Sequence, residues 1–227
     1  MISLVQEKVH QAVQILSEYK IDAWLTFVRE TTAGGDPVLP LIYGQDLTWN
    51  SALIITKTGE TFAIVGRFEA ETARRTNAYN QIVPYDKSIE PDLKQILTYL
   101  DPKQIAINYS TNDVHADGLT HGMYELLHKY LAGTKYIDRL ESAEYLIAAL
   151  RGRKTTSEIE YTRMAVNTTE RIFNNTFTYI QPGMTEIEVA EFMHSQLVSY
   201  GVAPAWNREH CPAVNTGPNS PVGHSGP

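Results

Sequence analysis

One cysteine, Cys211, in 227 residues excludes an internal disulfide framework and fits a reducing compartment. No stretch approaches the roughly 18 consecutive apolar residues of a membrane-spanning helix. Glu7, Lys8 and His10 interrupt the N-terminus where a signal peptide would be continuously apolar. A cytoplasmic protein with no membrane role is expected. Basic residues are in the minority, 19 Lys and Arg against 26 Asp and Glu, for a formal charge of −7. Clustered cations drive binding to nucleic acids and anionic lipid surfaces, so no nucleic-acid partner is expected either. Internal repeats and low-complexity runs are missing, which excludes a solenoid. What is there is ordinary for a folded chain: 43% hydrophobic and 20% charged residues rule out disorder over the whole length. The length suits one large domain, or a medium domain and part of a second.

Val5, Val9, Ala12, Val13 and Leu16 recur at helical spacing between Ser3 and Lys20, and Ser3 with Gln6 forms a capping box, so an amphipathic helix opens the chain. Ile21 to Val28 reads as a buried strand. Leu53 to Thr56 and Thr61 to Val65 flank Lys57-Thr58-Gly59-Glu60, the pattern of a hairpin with a short turn. Strand-like pieces at Ile82-Val83, Ile105 to Ile107 and Tyr136-Ile137 then alternate with helical stretches near 68–77, 91–100, 118–131 and 140–150. Such alternation predicts an α/β sandwich, and a hairpin among the crossovers predicts a mixed sheet.

Near Leu150 the texture changes. Arg151-Gly152-Arg153-Lys154 reads as a basic hinge, and Ser157 with Glu160 as a second capping box. The helix beyond it carries Ile159, Val166, Ile172, Phe173, Phe177 and Ile180 up to Pro182-Gly183. Another opens at Thr185, with Glu188 three residues later, and closes before Gly201. Pro212 to Pro227 is loop-like, rich in Pro, Gly, Asn and Ser. Two domains follow, 1–150 and 151–227. The second has too little apolar surface to stand as a complete unit, and the chain is expected to be a piece of something longer.

Few residues suggest chemistry by spacing alone. His194, seven positions after Ile187 and three before Leu197, falls on the apolar stripe of its helix and reads as a satisfied core histidine. His115, His121 and His128 have no partner at zinc-type spacing. Glu209-His210-Cys211 sets a base beside a thiol, but neighbours on an extended segment point to opposite faces. Cys211 is therefore expected to be a small buried thiol on a strand. His224 lies in a turn-rich segment, Val214 to His224, that can hold an imidazole at a cleft edge.

In this order, the hinge, the helix pair and the His224 loop resemble the creatinase/aminopeptidase P/prolidase family, the Xaa-Pro peptidase branch of the M24 metallopeptidases. Arg153-Lys154-Thr155-x-x-Glu158-Ile159 resembles its Arg-x-x-Lys-x-x-x-Glu-Ile signature, and Pro182-Gly183-Met184-Thr185-Glu186 its Gly-x-Thr-Glu link. Asn215 to Pro227 resembles its Gly-x-Asn…His-x-x-Pro loop. Tyr43-Gly44 and Gly66-Arg67-Phe68 resemble shorter elements near its N-terminus.

The resemblance implies a ribonuclease-H-like mixed-sheet N-terminal domain followed by the start of a truncated pita-bread catalytic domain. It implies hydrolysis of the peptide bond before proline by a pair of divalent metals, Mn, Co or Zn, acting on a proline-containing peptide, with a homodimer as the expected assembly. The family's five metal ligands, two aspartates, a histidine and two glutamates, follow the His-x-x-Pro loop, so no residue here is assigned as a ligand and this chain alone is expected to be inactive. His224 corresponds to the family's loop histidine and is the expected catalytic residue. The same resemblance allows a metal-independent creatinase-like amidinohydrolase or a non-catalytic peptide-binding module. Trp49, Tyr43 and the Ala33 to Pro37 loop are candidates for a rim over the cleft of the same or a neighbouring subunit, with packing of Trp49 on the sheet as the alternative.

Overall fold

The computed structural model describes residues 3–217. Two compact units meet between Thr155 and Thr156. The first is built on a six-stranded mixed sheet, as the alternation predicts. Its strands are β1 (Ala23–Val28), β2 (Ser51–Thr56), β3 (Thr61–Gly66), β4 (Gln81–Tyr85), β5 (Ile105–Ile107) and β6 (Leu140–Ser142), in the order β4-β3-β2-β1-β5-β6. The hairpin β2–β3 and the pair β1–β2 are antiparallel, and the remaining pairs are parallel.

Every residue of β1, β2 and β3 is buried because helices cover both faces. The period of two divides them cleanly. Trp24, Val28, Leu53, Ile55, Ala63 and Val65 face one layer, which Val9, Ala12, Ile15 and Leu16 of α1 (Leu4–Tyr19) and Leu146, Ile147 and Leu150 of α6 (Glu144–Gly152) complete. Ala23, Leu25, Phe27, Ile54, Phe62 and Ile64 face the other, against Leu93, Ile96 and Leu97 of α4 (Glu90–Leu100) and Met123, Leu127 and Leu131 of α5 (His121–Leu131). Each large apolar side chain so enclosed contributes roughly 1.5–3 kcal/mol. Two shorter helices, α2 (Leu39–Ile42) and α3 (Ala70–Thr76), add Leu39, Ile42, Ala70 and Ala73 to the first of these layers.

The first helix is capped as read: Ser3 Oγ accepts from the Gln6 amide while Gln6 Oε1 accepts from the Ser3 amide. It ends where Lys20 takes a left-handed conformation, φ 61°, so the strand begins at Ala23 rather than Ile21. Between them Asp22 accepts from the amides of Lys103 and Gln104, at 2.7 and 3.3 Å, and pairs with Lys57 at 2.7 Å. Burial pushes this carboxyl up, but the Lys57 ammonium and the two amides outweigh it and hold it below the usual aspartate value. A depressed acid stabilises the fold above its unfolded pKa and loses that contribution as pH falls through the folded value. Asp22→Asn should therefore lower the urea midpoint at pH 7 and converge with wild type near pH 2. A pH-independent deficit would show that the charge is not involved.

Two expectations need correction. Tyr136-Ile137 is not a strand: Tyr136 is buried, with the Lys135 and Arg139 cations over its ring, and Ile137 to Arg139 form a 3-10 turn. Arg139 fixes that turn through Asp101 and the Pro102 carbonyl. The strand lies three residues further on, where Leu140–Ser142 adds in parallel to β5, so the helix expected from 140 begins at Glu144. The other concerns the start of the long helix in the second unit, described below. The basic hinge is pinned to the first unit: Arg153 pairs with Glu18 at 2.6 Å, and the buried Lys8 ammonium donates to the Leu150 and Arg153 carbonyls. These otherwise unpaired carbonyls at the C-terminus of α6 are where a cation is favoured.

The second unit holds α7 (Thr156–Tyr179) and α8 (Glu186–Ser199). Because α7 starts at Thr156, Ser157 lies inside its first turn and is not the residue that precedes the helix. The cap read at Thr185 is present, Thr185 and Glu188 bonding reciprocally. Within the unit the Tyr179 ring stacks on Phe192, centroids 3.8 Å apart, and Asn175 donates to Gln196. Among the described residues no helix is long and apolar enough to cross a membrane.

Candidate functional site

The chemistry-bearing residues of the second unit gather along α8 and the segment that follows it. The buried face of α8 is Val189, Ala190, Met193 and His194, and Ile187 is exposed, so the stripe is rotated from the one read in the sequence. His194 is 6% exposed, and its Nε2 lies 2.8 Å from the Cys211 carbonyl oxygen. Its Nδ1 is buried with no hydrogen-bond partner among the described residues, 3.6 Å from Glu191 Oε1. The core histidine is thus satisfied at one nitrogen only. Glu191 in turn accepts from Arg208, whose Nη2 lies 3.0 Å from Oε2 and 3.2 Å from Oε1. Further along, the Thr216 amide donates to Glu186 Oε1 at 2.5 Å.

Cys211 is not on a strand. It ends a 3-10 turn, Arg208 to His210, which Asn207 caps by accepting from the Glu209 amide. The thiol is half-buried, and the imidazole that meets this residue is His194, through the carbonyl. Trp206 closes the turn by donating to the His210 carbonyl at 3.0 Å. His115 bonds Asp113 at 3.1 Å, and the His128 ring lies against Tyr124 with centroids 4.1 Å apart. Among the described residues no three His, Cys, Asp or Glu converge as a metal site. His224 lies outside the described residues.

The candidate rim in the first unit resolves differently for each member. Tyr43 is 1% exposed and belongs to the core; burial and the nearby Glu69 carboxylate push its phenol well up. Trp49, 36% exposed, seats its ring on Gly66, where a Cβ would lie 2.7 Å from the indole. It also packs against Tyr85 and, edge-on, the 83% exposed Phe68. In the Ala33 to Pro37 loop Asp36 is turned inward. Its Oδ1 accepts from the Val38 amide, and its Oδ2 accepts from Asn108 at 2.7 Å. Asn108 also donates to Thr26 and accepts from Trp24 Nε1 at 2.6 Å, all four residues being buried. Burial pushes the Asp36 carboxyl up, against the lowering pull of Asn108 and the Val38 amide. The sequence reading missed Asn108, Glu191 and Arg208. Asn108 follows an apolar triplet, the one local sign of a buried amide, and nothing local pairs Glu191 with Arg208.

No protein-family model matches the chain, and no curated protein does. Solved structures do. An Xaa-Pro dipeptidase from Bacillus anthracis aligns over 86% of this chain at 20% identity and TM-score 0.58, covering 49% of its own length. The prolidase from Pyrococcus horikoshii OT3 aligns over 91% at 21% identity and TM-score 0.55, covering 55% of itself. An X-Pro aminopeptidase from Thermotoga maritima MSB8 aligns over 92% at 19% identity and TM-score 0.58, covering 56% of itself. The chain therefore shares its fold with a portion of Xaa-Pro dipeptidases, prolidases and aminopeptidases. It spans about half the length of the structures it matches.

Proposed function

We propose that the chain is the N-terminal portion of an Xaa-Pro metallopeptidase of the creatinase/aminopeptidase P/prolidase family. Its first unit is the ribonuclease-H-like N-terminal domain, and the residues beyond the hinge begin a pita-bread catalytic domain. One observation carries the reading above the rest: a likeness of fold that covers 86 to 92% of the chain. The second unit adds support. Only Ile172 and Thr176 of the 24 residues of α7 are buried, while Tyr161, Met164 and Phe177 are 62 to 69% exposed. Apolar surface of that kind calls for a covering structure, which the remainder of a larger domain would supply.

Proline's tertiary amide carries no N–H, so a peptidase acting on it needs a pocket fitted to that bond. In this reading the substrate is a peptide with proline in second position, and the protein is a cytoplasmic homodimer. Trp49, seated on Gly66 with Phe68 beside it, is the rim residue best placed to face a partner or a peptide. A divalent metal pair would supply a hydroxide at neutral pH. The described residues do not fit such a pair, since no three His, Cys, Asp or Glu among them converge, and the resemblance places its donors after the His-x-x-Pro loop.

The test compares two polypeptides supplied with Mn: these 227 residues and the longer product of the same reading frame. The longer protein should release the residue before proline and spare an alanine counterpart, and the 227-residue chain should give no turnover above the metal blank. Turnover by the short chain would overturn the assignment of the ligands. A longer protein that binds proline peptides without cleaving them would replace the peptidase reading with that of a binding module.

A further inference from the structure

Among the described residues, contacts between α8 and the segment after it fall in chain order, at Arg208, Cys211 and Thr216, and they are not equivalent. Glu191 is a surface carboxylate with a 62% exposed side chain, and its bond to Arg208 competes with water. The His194 side chain is only 7% exposed. A carbonyl oxygen only accepts, so the bond to Cys211 requires a proton on Nε2, while the buried Nδ1, 3.6 Å from Glu191 Oε1, makes no hydrogen bond among the described residues. That arrangement costs free energy, since an unpartnered buried polar atom is unfavourable. A leucine would fill the same face of α8 without the penalty. What the imidazole supplies, and leucine would not, is a directional hold on the main chain at Cys211.

We propose that His194 is a positioning residue: its Nε2–H holds the backbone at Cys211 and so sets the path of residues 207–217, the approach to the stretch resembling the family's substrate loop. This deepens the peptidase reading and rests on it. The helix that carries the hold is itself fixed by the Thr185–Glu188 cap. Glu191 on Arg208 and Glu186 on Thr216 secure the segment on either side of the anchor.

Two measurements test it. In the 227-residue chain, amide hydrogen exchange over 207–217 should be at least 10-fold faster in His194→Leu than in wild type. It should return to within 3-fold in His194→Gln, whose amide N–H can replace the imidazole donor. An imidazole ¹⁵N spectrum of wild type should show the proton on Nε2. Glu191→Gln, a change at an exposed position that should not unfold α8, should speed exchange about 3-fold around Arg208 and little at Cys211. In the longer protein, His194→Leu should lower kcat for a proline peptide at least 10-fold with KM within 3-fold, and His194→Gln should restore most of it. Unchanged exchange in His194→Leu, an Nε2 without a proton, or faster exchange with unaltered kcat would each overturn the proposal. A wild-type longer protein without turnover would instead sink the peptidase reading, and the exchange data would still decide whether His194 holds the segment.

Discussion

Alanine in place of His224 should lower kcat for a proline peptide by about 10²–10³-fold in the longer protein proposed here, the usual loss when a side chain that contacts the reacting group in the transition state is removed. The resemblance assigns this histidine to contact with the substrate near the scissile bond and places all five metal ligands beyond it. The loss should therefore fall on kcat, with KM within about 3-fold and the metal content of the purified protein unchanged. Each readout separates a different failure. A fall in metal content would make His224 a ligand or a structural support. A rise in KM at constant kcat would make it a group that binds ground state and transition state alike. Turnover equal to wild type would remove it from the site.

Leucine in place of Asn108 should destabilise the first unit by about 3–5 kcal/mol, among the largest effects of a single substitution. Asn108 is 1% exposed and occupies three neighbours at once, Trp24 Nε1, Thr26 Oγ1 and Asp36 Oδ2. Leucine keeps the volume and removes every bond, leaving an indole N–H, a hydroxyl and a carboxylate buried without their partner. A buried polar group so orphaned costs about 1–3 kcal/mol, more when charged. At a urea slope of about 2 kcal/mol/M the midpoint should fall by roughly 1.5–2.5 M. Asp36 gives the deficit a pH dependence. Burial already raises its pKa, and an acid raised in the fold contributes stability below its unfolded value and loses it as pH rises through the folded value. Without the Asn108 donor the carboxylate is still less favourable, so the deficit should be larger at pH 7 than at pH 4. A midpoint within about 0.5 M of wild type would show that the network is relieved by rearrangement.

Much of the fold was legible because its signals are local. Ser3 and Gln6 sit three apart and cap each other, as do Thr185 and Glu188. The apolar stripe of α1 and the hairpin around Gly59 follow from spacing of a few residues. Errors came where tertiary partners overrode local preference. Tyr136 and Ile137 look like a strand until Tyr136 is needed as a core ring under two cations, and the sheet instead takes the less apolar Leu140-Glu141-Ser142 because β5 offers it an open edge. Cys211 looks like a strand thiol until Asn207 turns the chain before it.

By itself, then, the amino-acid order determined the α/β character, the mixed sheet and the likeness to the Xaa-Pro peptidases, since periodicity, caps and motif order all lie along the chain. The tertiary structure alone decided which polar groups meet. Asp36 reaches Asn108 across 72 positions, Lys8 reaches Leu150 across 142, and His194 finds a carbonyl rather than a thiol. The physical reason is that a buried polar atom must be satisfied by whatever the packed fold brings within about 3 Å, and that neighbour is chosen by how the layers close, not by sequence distance.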